Sequence, residues 1–168
     1  VENIAKLKAK GVDFIEPVFE EGKAKMAPVE EIVEAVLSKL SKKDLHSLKV
    51  LITAGPTREY LDPVRFITNK SSGKMGIALA SEAVQRGGDV TLVYGPGSTQ
   101  PPKRVKLVKV ETTTEMYDAV HSALKSNPFD IFIAAGAPSD FTPSQKFDHK
   151  LPSRGVGEFN VNFKATPK

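Results

Sequence analysis

The stretch Ser71-Ser72-Gly73-Lys74-Met75-Gly76 holds the densest set of groups suited to an anion. At the start of a helix, Ser71 and Ser72 can cap, Gly73 and Gly76 let a backbone approach a ligand, and free amides favour phosphate or carboxylate. A Gly/Ser-rich helix cap with a surface lysine has the same composition, and the residues alone do not separate the two readings. Met75 after Lys74 breaks the Walker A pattern, and no GxGxxG is present, which disfavours a nicotinamide or flavin dinucleotide. Asp140, in Ser139-Asp140-Phe141, is a carboxylate able to bind a sugar hydroxyl, a base amine or a metal ion, or a plain turn residue between Pro138 and Pro143. Lys150 reads as a solvated lysine, Asn69 as a turn former, and Arg58 with Glu59 as a surface pair. His46, His121 and His149 lack metal-ligand spacing, and His121 falls within a helix as a structural residue. No residue set forms a Ser-His-Asp triad or a zinc site.

These residues lie in loops of an alternating pattern of strands and helices. From residue 49 onward the periodicity predicts strands over 50–54, 90–94 and 105–110 and a nearly all-apolar fourth over 129–135. That last run is expected to be central and covered on both faces. Helices are predicted over 76–87, ending at Gly87-Gly88, and from Thr112, with Glu115 at capping-box spacing. Such an order implies an α/β fold: a Rossmann-like three-layer sandwich with a mostly parallel central sheet. Ligands then bind at the carboxyl ends of the strands, where GPTREYLDPVRFITNKSSGKMG, GPGS and AAGAPSDF should meet. The first of these loops, about twenty residues long, exceeds an ordinary βα connection and is expected to be functional. Residues 136–155 are turn-rich, and 158–165 alternate as an exposed strand. A doubly wound domain usually continues further, so a C-terminally truncated domain is expected.

Residues 1–49 differ in character. A short helix closed by Gly11, a strand over 12–19 broken at Pro17, and a helix opened by Pro28 and carrying Ile32, Val33, Val36, Leu37 and Leu40 leave little to bury that apolar stripe. The piece reads as the remnant of another domain, and residues 41–48 read as a linker.

The 168 residues suffice for one domain and a short appendage, and 40% hydrophobic with 26% charged residues fits a globular chain. No apolar run approaches a membrane span, and the N-terminus is no secretory signal. Absence of cysteine excludes disulfides, thiolate metal sites and cysteine nucleophiles, and suits a cytoplasmic location. The net charge of +4 comes from dispersed lysines with few aromatics, so a nucleic-acid partner is not expected.

The phrase VLITAGPTREYLDPVRFITNKSSGKMGIALASEAVQRGGDVTLVYGP, continued by ETTTEMYDAV and FDIFIAAGAPSDF, resembles the phosphopantothenate–cysteine ligase family over residues 49–168. Residues 1–40 resemble the tail of the flavin-dependent phosphopantothenoylcysteine decarboxylase that precedes this ligase in microbes. The resemblance implies a place in coenzyme A biosynthesis and a reaction of 4′-phosphopantothenate, cysteine and CTP with Mg²⁺ through an acyl-cytidylate. It implies that Lys150 acts at the α-phosphate and that Asn69 handles the acyl-cytidylate. Gly55, Ala134, Ala135, Gly136, Asp140, Lys150, Pro167 and Lys168 are implied in nucleotide binding, with Ser71, Ser72, Gly73 and Lys74 as the phosphate or substrate loop. The metal ligands stay unassigned, as does CTP against ATP, which some relatives use. A homodimer through the 65–76 loop is implied, with flavin mononucleotide (FMN) belonging to the absent decarboxylase body.

Three features depart from the family pattern. Lys150 is followed by Leu151-Pro152-Ser153 where many members have a KxKK run; Pro167-Lys168 replaces a frequent Pro-Asp; and the tail's catalytic cysteine is missing from VFEEGKAKM. No decarboxylation is therefore expected from these residues alone. Two rival functions fit the same alternating sheet: a Rossmann-type nucleotide-dependent reductase, and a non-catalytic nucleotide-binding or dimerisation fragment.

Overall fold

The computed structural model describes residues 2–152 and 157–167. The chain divides into two compact units, Val1–Lys42 and Lys43–Lys168. In the first, helix α1 (Glu2–Ala9) runs out at Gly11, whose φ is +81°. The strand expected over 12–19 is reduced to β1 (Val18–Glu20), paired antiparallel with β2 (Lys23–Lys25). Pro17 accounts for the late start, because it brings no N–H to a ladder. Helix α2 (Val29–Leu40) follows Pro28 at its N-cap, and its Val33, Val36, Leu37 and Leu40 are each at least 47% exposed. This unit by itself leaves its apolar stripe uncovered.

The second unit starts inside the stretch expected to be a linker. Leu45 N–H donates to the Arg86 carbonyl at 3.1 Å, and Arg86 forks onto Asp44 at 2.7 and 2.8 Å. The segment before the first long strand is thereby folded onto the end of a helix. The elements that follow are β3 (Lys49–Pro56), β4 (Arg58–Tyr60), β5 (Phe66–Thr68), α3 (Lys74–Gln85), β6 (Asp89–Tyr94), β7 (Lys106–Lys109), α4 (Thr113–Ser126), β8 (Ile131–Ala137), β9 (Phe141–Pro143) and β10 (Phe163–Ala165).

Four of these strands form a wholly parallel sheet in the order β7-β6-β3-β8. Along β3 the side chains alternate between faces. Val50, Ile52 and Ala54 pack with Ile77, Ala80 and Ala83 of α3, and Leu51 packs on the other side with Val93, Val110 and Met116. With a helix on each face, a strand can be apolar throughout, which is why β3 and β6 read as unbroken runs. The three-layer, Rossmann-like architecture stands.

The placement of β8 differs from expectation. It is an edge of the sheet among the described residues, half-exposed along its length, with Phe132 47% exposed. A short apolar run reads the same in a central and in an edge strand, and only the crossover from α4 decides. The turn-rich tail also contains more order than expected, because β9 pairs antiparallel with β10, to which the exposed strand of 158–165 contracts.

Helix α3 opens at Lys74, two residues before the predicted start, and Gly76 lets it sit directly on β3. A Cβ on Gly76 would overlap Ala54 Cβ and come within 3.0 Å of the Thr53 carbonyl oxygen. Gly76→Ala is expected to destabilise the fold by about 1–3 kcal/mol through this overlap, even though alanine is the better helix former. Adding Ala54→Gly should recover part of that loss, measured as coupling in a double-mutant cycle by urea denaturation. Simple additivity would contradict the close approach.

Candidate functional site

The order β7-β6-β3-β8 reverses between β3 and β8, and their carboxyl ends stand side by side, Ala54 opposite Ala135 and Gly55 opposite Gly136. The long segment after β3 is a β-hairpin, with Arg58 paired to Thr68, Glu59 to Ile67 and Tyr60 to Phe66. It is fixed to the sheet by buried polar groups. Thr57, fully buried, accepts the Ser139 amide at 2.9 Å, shares a hydrogen bond with Thr113 at 2.8 Å, and its carbonyl accepts the Thr68 hydroxyl at 2.7 Å. The Ser139 carbonyl accepts from Thr166 at 2.6 Å. Glu59, 4% exposed, accepts the Thr113 amide at 2.8 Å and so fills the N-terminus of α4 with an internal carboxylate. The expected Arg58–Glu59 surface pair is split: Glu59 points inward, while Arg58 lies over the Phe66 ring at 4.8 Å.

Asn69 joins the two loops at the reversal. Its Nδ2 donates to the Pro138 carbonyl at 2.9 Å and the Ala137 carbonyl at 3.3 Å. On one side lies a groove of about 390 Å³ lined by Met116, Tyr117, His121, Ala134, Gly136 and Pro167, among others. Its walls are mainly apolar, with the Tyr117 and His121 rings 4.1 Å apart. On the other side is an open cavity of about 490 Å³, whose mixed lining includes Arg58, Asn69, Lys70, Ser71 and Ser72. The structure therefore gathers Asn69, Ser71 and Ser72 in one place and Ala134, Gly136 and Pro167 in another.

The glycines of these loops sit close to other residues of the fold. Gly73 has φ of +81°, and a Cβ there would lie 2.8 Å from the Tyr94 ring, so its bareness makes room for Tyr94. Gly55 faces Tyr94 and the Gly95 carbonyl in the same way. Gly76, as above, is reserved for Ala54. Tyr94 is 7% exposed and donates to the Thr99 carbonyl at 2.7 Å, while Thr99 donates to the Ser72 carbonyl at 2.9 Å. Burial pushes the Tyr94 phenol above its ordinary pKa. Neither serine is the N-cap of α3; Gly73 is, while the hydroxyls of Ser71 and Ser72 accept weakly from the Gly73 and Lys74 amides at 3.3 and 3.4 Å. Lys74 is exposed.

Asp140 is exposed just before β9, and its carbonyl accepts the Thr166 amide at 3.0 Å. Lys150 is also exposed, on a segment tied to the hairpin turn. Neither lines the two cavities above. Ala135 is half-buried within β8. Lys168 lies outside the described residues. No three His, Asp or Glu side chains gather as a cation site among the described residues. Nor is any helix there long and apolar enough to cross a membrane.

Sequence reasoning missed Asp62 and Arg65. Asp62 is fully buried; its Oδ1 accepts the Val64 and Arg65 amides at 2.8 and 2.7 Å, and its Oδ2 accepts Arg65 Nη1 at 3.1 Å and the Leu151 amide at 3.2 Å. Asp-Pro signals the turn, but nothing in the sequence signals that the carboxylate faces inward to a residue so far along the chain.

An open parallel sheet with two loops meeting at its reversal defines a Rossmann-like domain, a fold that places ligands at that point. Residues 45–168 match the family of DNA/pantothenate metabolism flavoprotein C-terminal domains, and the chain belongs to that family. It is 53% identical over 90% of its length to the coenzyme A biosynthesis bifunctional protein CoaBC of Thermococcus kodakarensis, of which it covers 38%. It is 43% identical over 98% of its length to a cysteine/cysteine sulfinic acid decarboxylase of an unknown prokaryotic organism, of which it covers 48%. The chain thus spans less than half the length of these relatives. The crystal structure of a C-terminal domain of CoaBC is similar, with a TM-score of 0.63 and 39% identity, over 76% of this chain and 58% of that one.

The buried Asp62 makes the site's frame sensitive to acid. Burial alone would raise its pKa, but the amides of Val64, Arg65 and Leu151, with the Arg65 charge, outweigh it and hold the carboxyl below its usual value. A carboxylate lowered on folding adds stability that is fully present above its unfolded pKa of about 3.9 and is lost as pH falls through the folded value. The denaturation midpoint of the wild type is therefore expected to drop below about pH 4, with a shallower drop in Asp62→Asn. Superimposable acid profiles would contradict this.

Proposed function

We propose that this chain is the ligase part of a coenzyme A biosynthetic enzyme, joining 4′-phosphopantothenate to cysteine at the expense of CTP. The observation that carries the reading is the Asn69 contact, which links the FITNKSSGKMG loop to the AAGAPSDF loop at the sheet reversal. The two most distinctive phrases of the family resemblance thus meet where an open α/β sheet binds ligands. The relatives' names, bifunctional proteins of coenzyme A biosynthesis, support the pathway.

In the first step a carboxylate oxygen of phosphopantothenate attacks the α-phosphorus of CTP, and pyrophosphate leaves. In the second the cysteine amine attacks the acyl carbon, CMP leaves, and the amine gives up a proton. Both partners of the first step are anions, so cations and oriented amides must offset their repulsion. Lys150 is the residue proposed for the α-phosphate. Ser71, Ser72, Lys70 and Arg58 line an open cavity suited to phosphate oxygens. The groove beside Ala134, Gly136 and Pro167 offers apolar walls to a base or an acyl chain, with Asp140 placed next to it in sequence for a hydroxyl or amine. Gly55 and Gly73 shape the loops around Tyr94, and their bare backbones are proposed to face the nucleotide and its phosphates. Mg²⁺ fits this donor set only as a nucleotide-borne ion, held chiefly by phosphates and water, and would neutralise charge there. The exposed Val64, Phe66 and Ile67 of the hairpin, 57%, 40% and 41% accessible, support a homodimer through the 65–76 loop.

A second reading, flavin-dependent decarboxylation, draws on the family's flavoprotein designation and on the decarboxylase relative. Against it, for these residues, stands the lack of a cysteine in VFEEGKAKM. Titration of residues 1–168 with FMN and with CTP separates the two: CTP binding without FMN binding is expected.

Lys150→Ala in the full-length protein is expected to cut phosphopantothenate-driven pyrophosphate release by about two orders of magnitude or more, with CTP binding much less affected. Near wild-type release would leave Lys150 a surface lysine. Asn69→Asp turns two donors into acceptors facing the Ala137 and Pro138 carbonyls. It is expected to complete the first step and stall before amide formation, so that quenched reactions show acyl-cytidylate accumulating. Equal slowing of both steps, with the dimer intact by light scattering, would assign Asn69 a role in loop structure alone.

A further inference from the structure

The hairpin turn does more than close itself. Leu151 is gripped from both sides: its amide donates to Asp62 Oδ2 at 3.2 Å, and its carbonyl accepts Arg65 Nη2 at 3.2 Å. Four residues earlier, the Phe147 amide donates to the Leu61 carbonyl at 2.8 Å. The segment between these ties consists of Asp148, His149 and Lys150, and both of its ends are bound to the same turn. Asp148 and His149 pair with each other at 2.7 Å, exposed at the surface, and add no further tie to the hairpin. We propose that Asp62 is a positioning residue for Lys150: its carboxylate fixes the main chain at Leu151 and thereby sets where the neighbouring ammonium reaches. The proposal rests on the ligase reading, in which Lys150 works at the α-phosphate.

The physical case lies in how many donors one buried carboxylate serves. Its two oxygens take four hydrogen bonds, divided by function. Oδ1 takes the Val64 and Arg65 amides, which shape the turn. Oδ2 takes Arg65 Nη1 and the Leu151 amide, which carry the link to the lysine segment. Lysine loses about 2 kcal/mol of rotamer entropy when its head is fixed, so an already fixed main chain limits what remains to be ordered. Misplacement by about 1 Å costs a positioned catalytic group up to about a hundredfold in rate.

The division between the oxygens supplies a selective variant. In Asp62→Asn the amide oxygen can keep the turn, since asparagine forms the same turn as aspartate. The Nδ2 then confronts Arg65 Nη1 and the Leu151 N–H, donor against donor, and the link opens. The experiment uses the full-length protein, with CTP, Mg²⁺ and 4′-phosphopantothenate, and hydrogen exchange of a peptide spanning 147–152. In Asp62→Asn, kcat for pyrophosphate release should fall by about tenfold or more, the Kd for CTP should stay within about twofold, and the Leu151 amide should lose protection. Lys150→Ala added to Asp62→Asn should cost far less than Lys150→Ala alone, which a merely structural role for Asp62 would not produce.

Wild-type turnover in Asp62→Asn beside an inactive Lys150→Ala would overturn the proposal while leaving the ligase reading intact. A wild-type protein that releases no pyrophosphate, or a Lys150→Ala variant at full rate, would overturn the ligase reading and the proposal with it. Should Asp62→Asn fail to fold, exchange in the wild type decides: an unprotected Leu151 amide removes the tether.

Discussion

The Thr57 hydroxyl at the end of β3 bonds to the loop after β8 through Ser139 N and to the first turn of α4 through Thr113, both within 2.9 Å. Its carbonyl holds the second strand of the hairpin through Thr68. A single buried residue thus connects the sheet, a helix N-terminus and both loops of the site. Buried polar groups are costly when unpaired, so this network holds each member to one geometry. Thr166 extends it by capping the Ser139 carbonyl, and Glu59 by taking the Thr113 amide. The last described residues, including Pro167 at the groove, inherit their position from it.

From that knot the hairpin projects, and its far end sets the place of the lysine segment through Asp62 and Arg65. Its near end delivers Asn69 to the Pro138 carbonyl. On the opposite flank Tyr94 performs a similar office in apolar form, its ring filling the space left by Gly55 and Gly73 and its hydroxyl reaching the loop that leads to Thr99. The loops are held in place by buried groups. Such preorganisation suits the proposed reaction between two anions, because donors fixed in advance need not reorganise.

The fold was largely legible because it rests on periodicity. Val50, Ile52 and Ala54 against Leu51 read as a strand buried on both faces, and Thr112 with Glu115 marked a helix start that the structure confirms, the Thr112 side chain accepting the Glu115 amide at 3.2 Å. What failed were properties decided by partners distant in sequence. The run 131–137 is apolar, yet its neighbour on one side is β3 and it forms the sheet edge among the described residues. Residues 43–48 are polar, yet Asp44 and Leu45 find Arg86. The glycines of the phosphate-like loop were visible as glycines, but only the fold shows that Tyr94 and Ala54 occupy the space beside them. Asp62 looked like half of an Asp-Pro turn and became a buried carboxylate that takes four hydrogen bonds.

The claim that a carboxylate is activated on the α-phosphate of CTP can be followed by atoms. Phosphopantothenate carrying ¹⁸O in both carboxylate oxygens should be turned over with CTP, Mg²⁺ and cysteine by the full-length protein, and the products weighed by mass spectrometry. The oxygen that attacks phosphorus must leave with it, so one ¹⁸O is expected in CMP, one in the amide carbonyl and none in pyrophosphate. Absence of ¹⁸O from CMP, or its arrival in released inorganic phosphate, would contradict an acyl-cytidylate and with it the function assigned to this site.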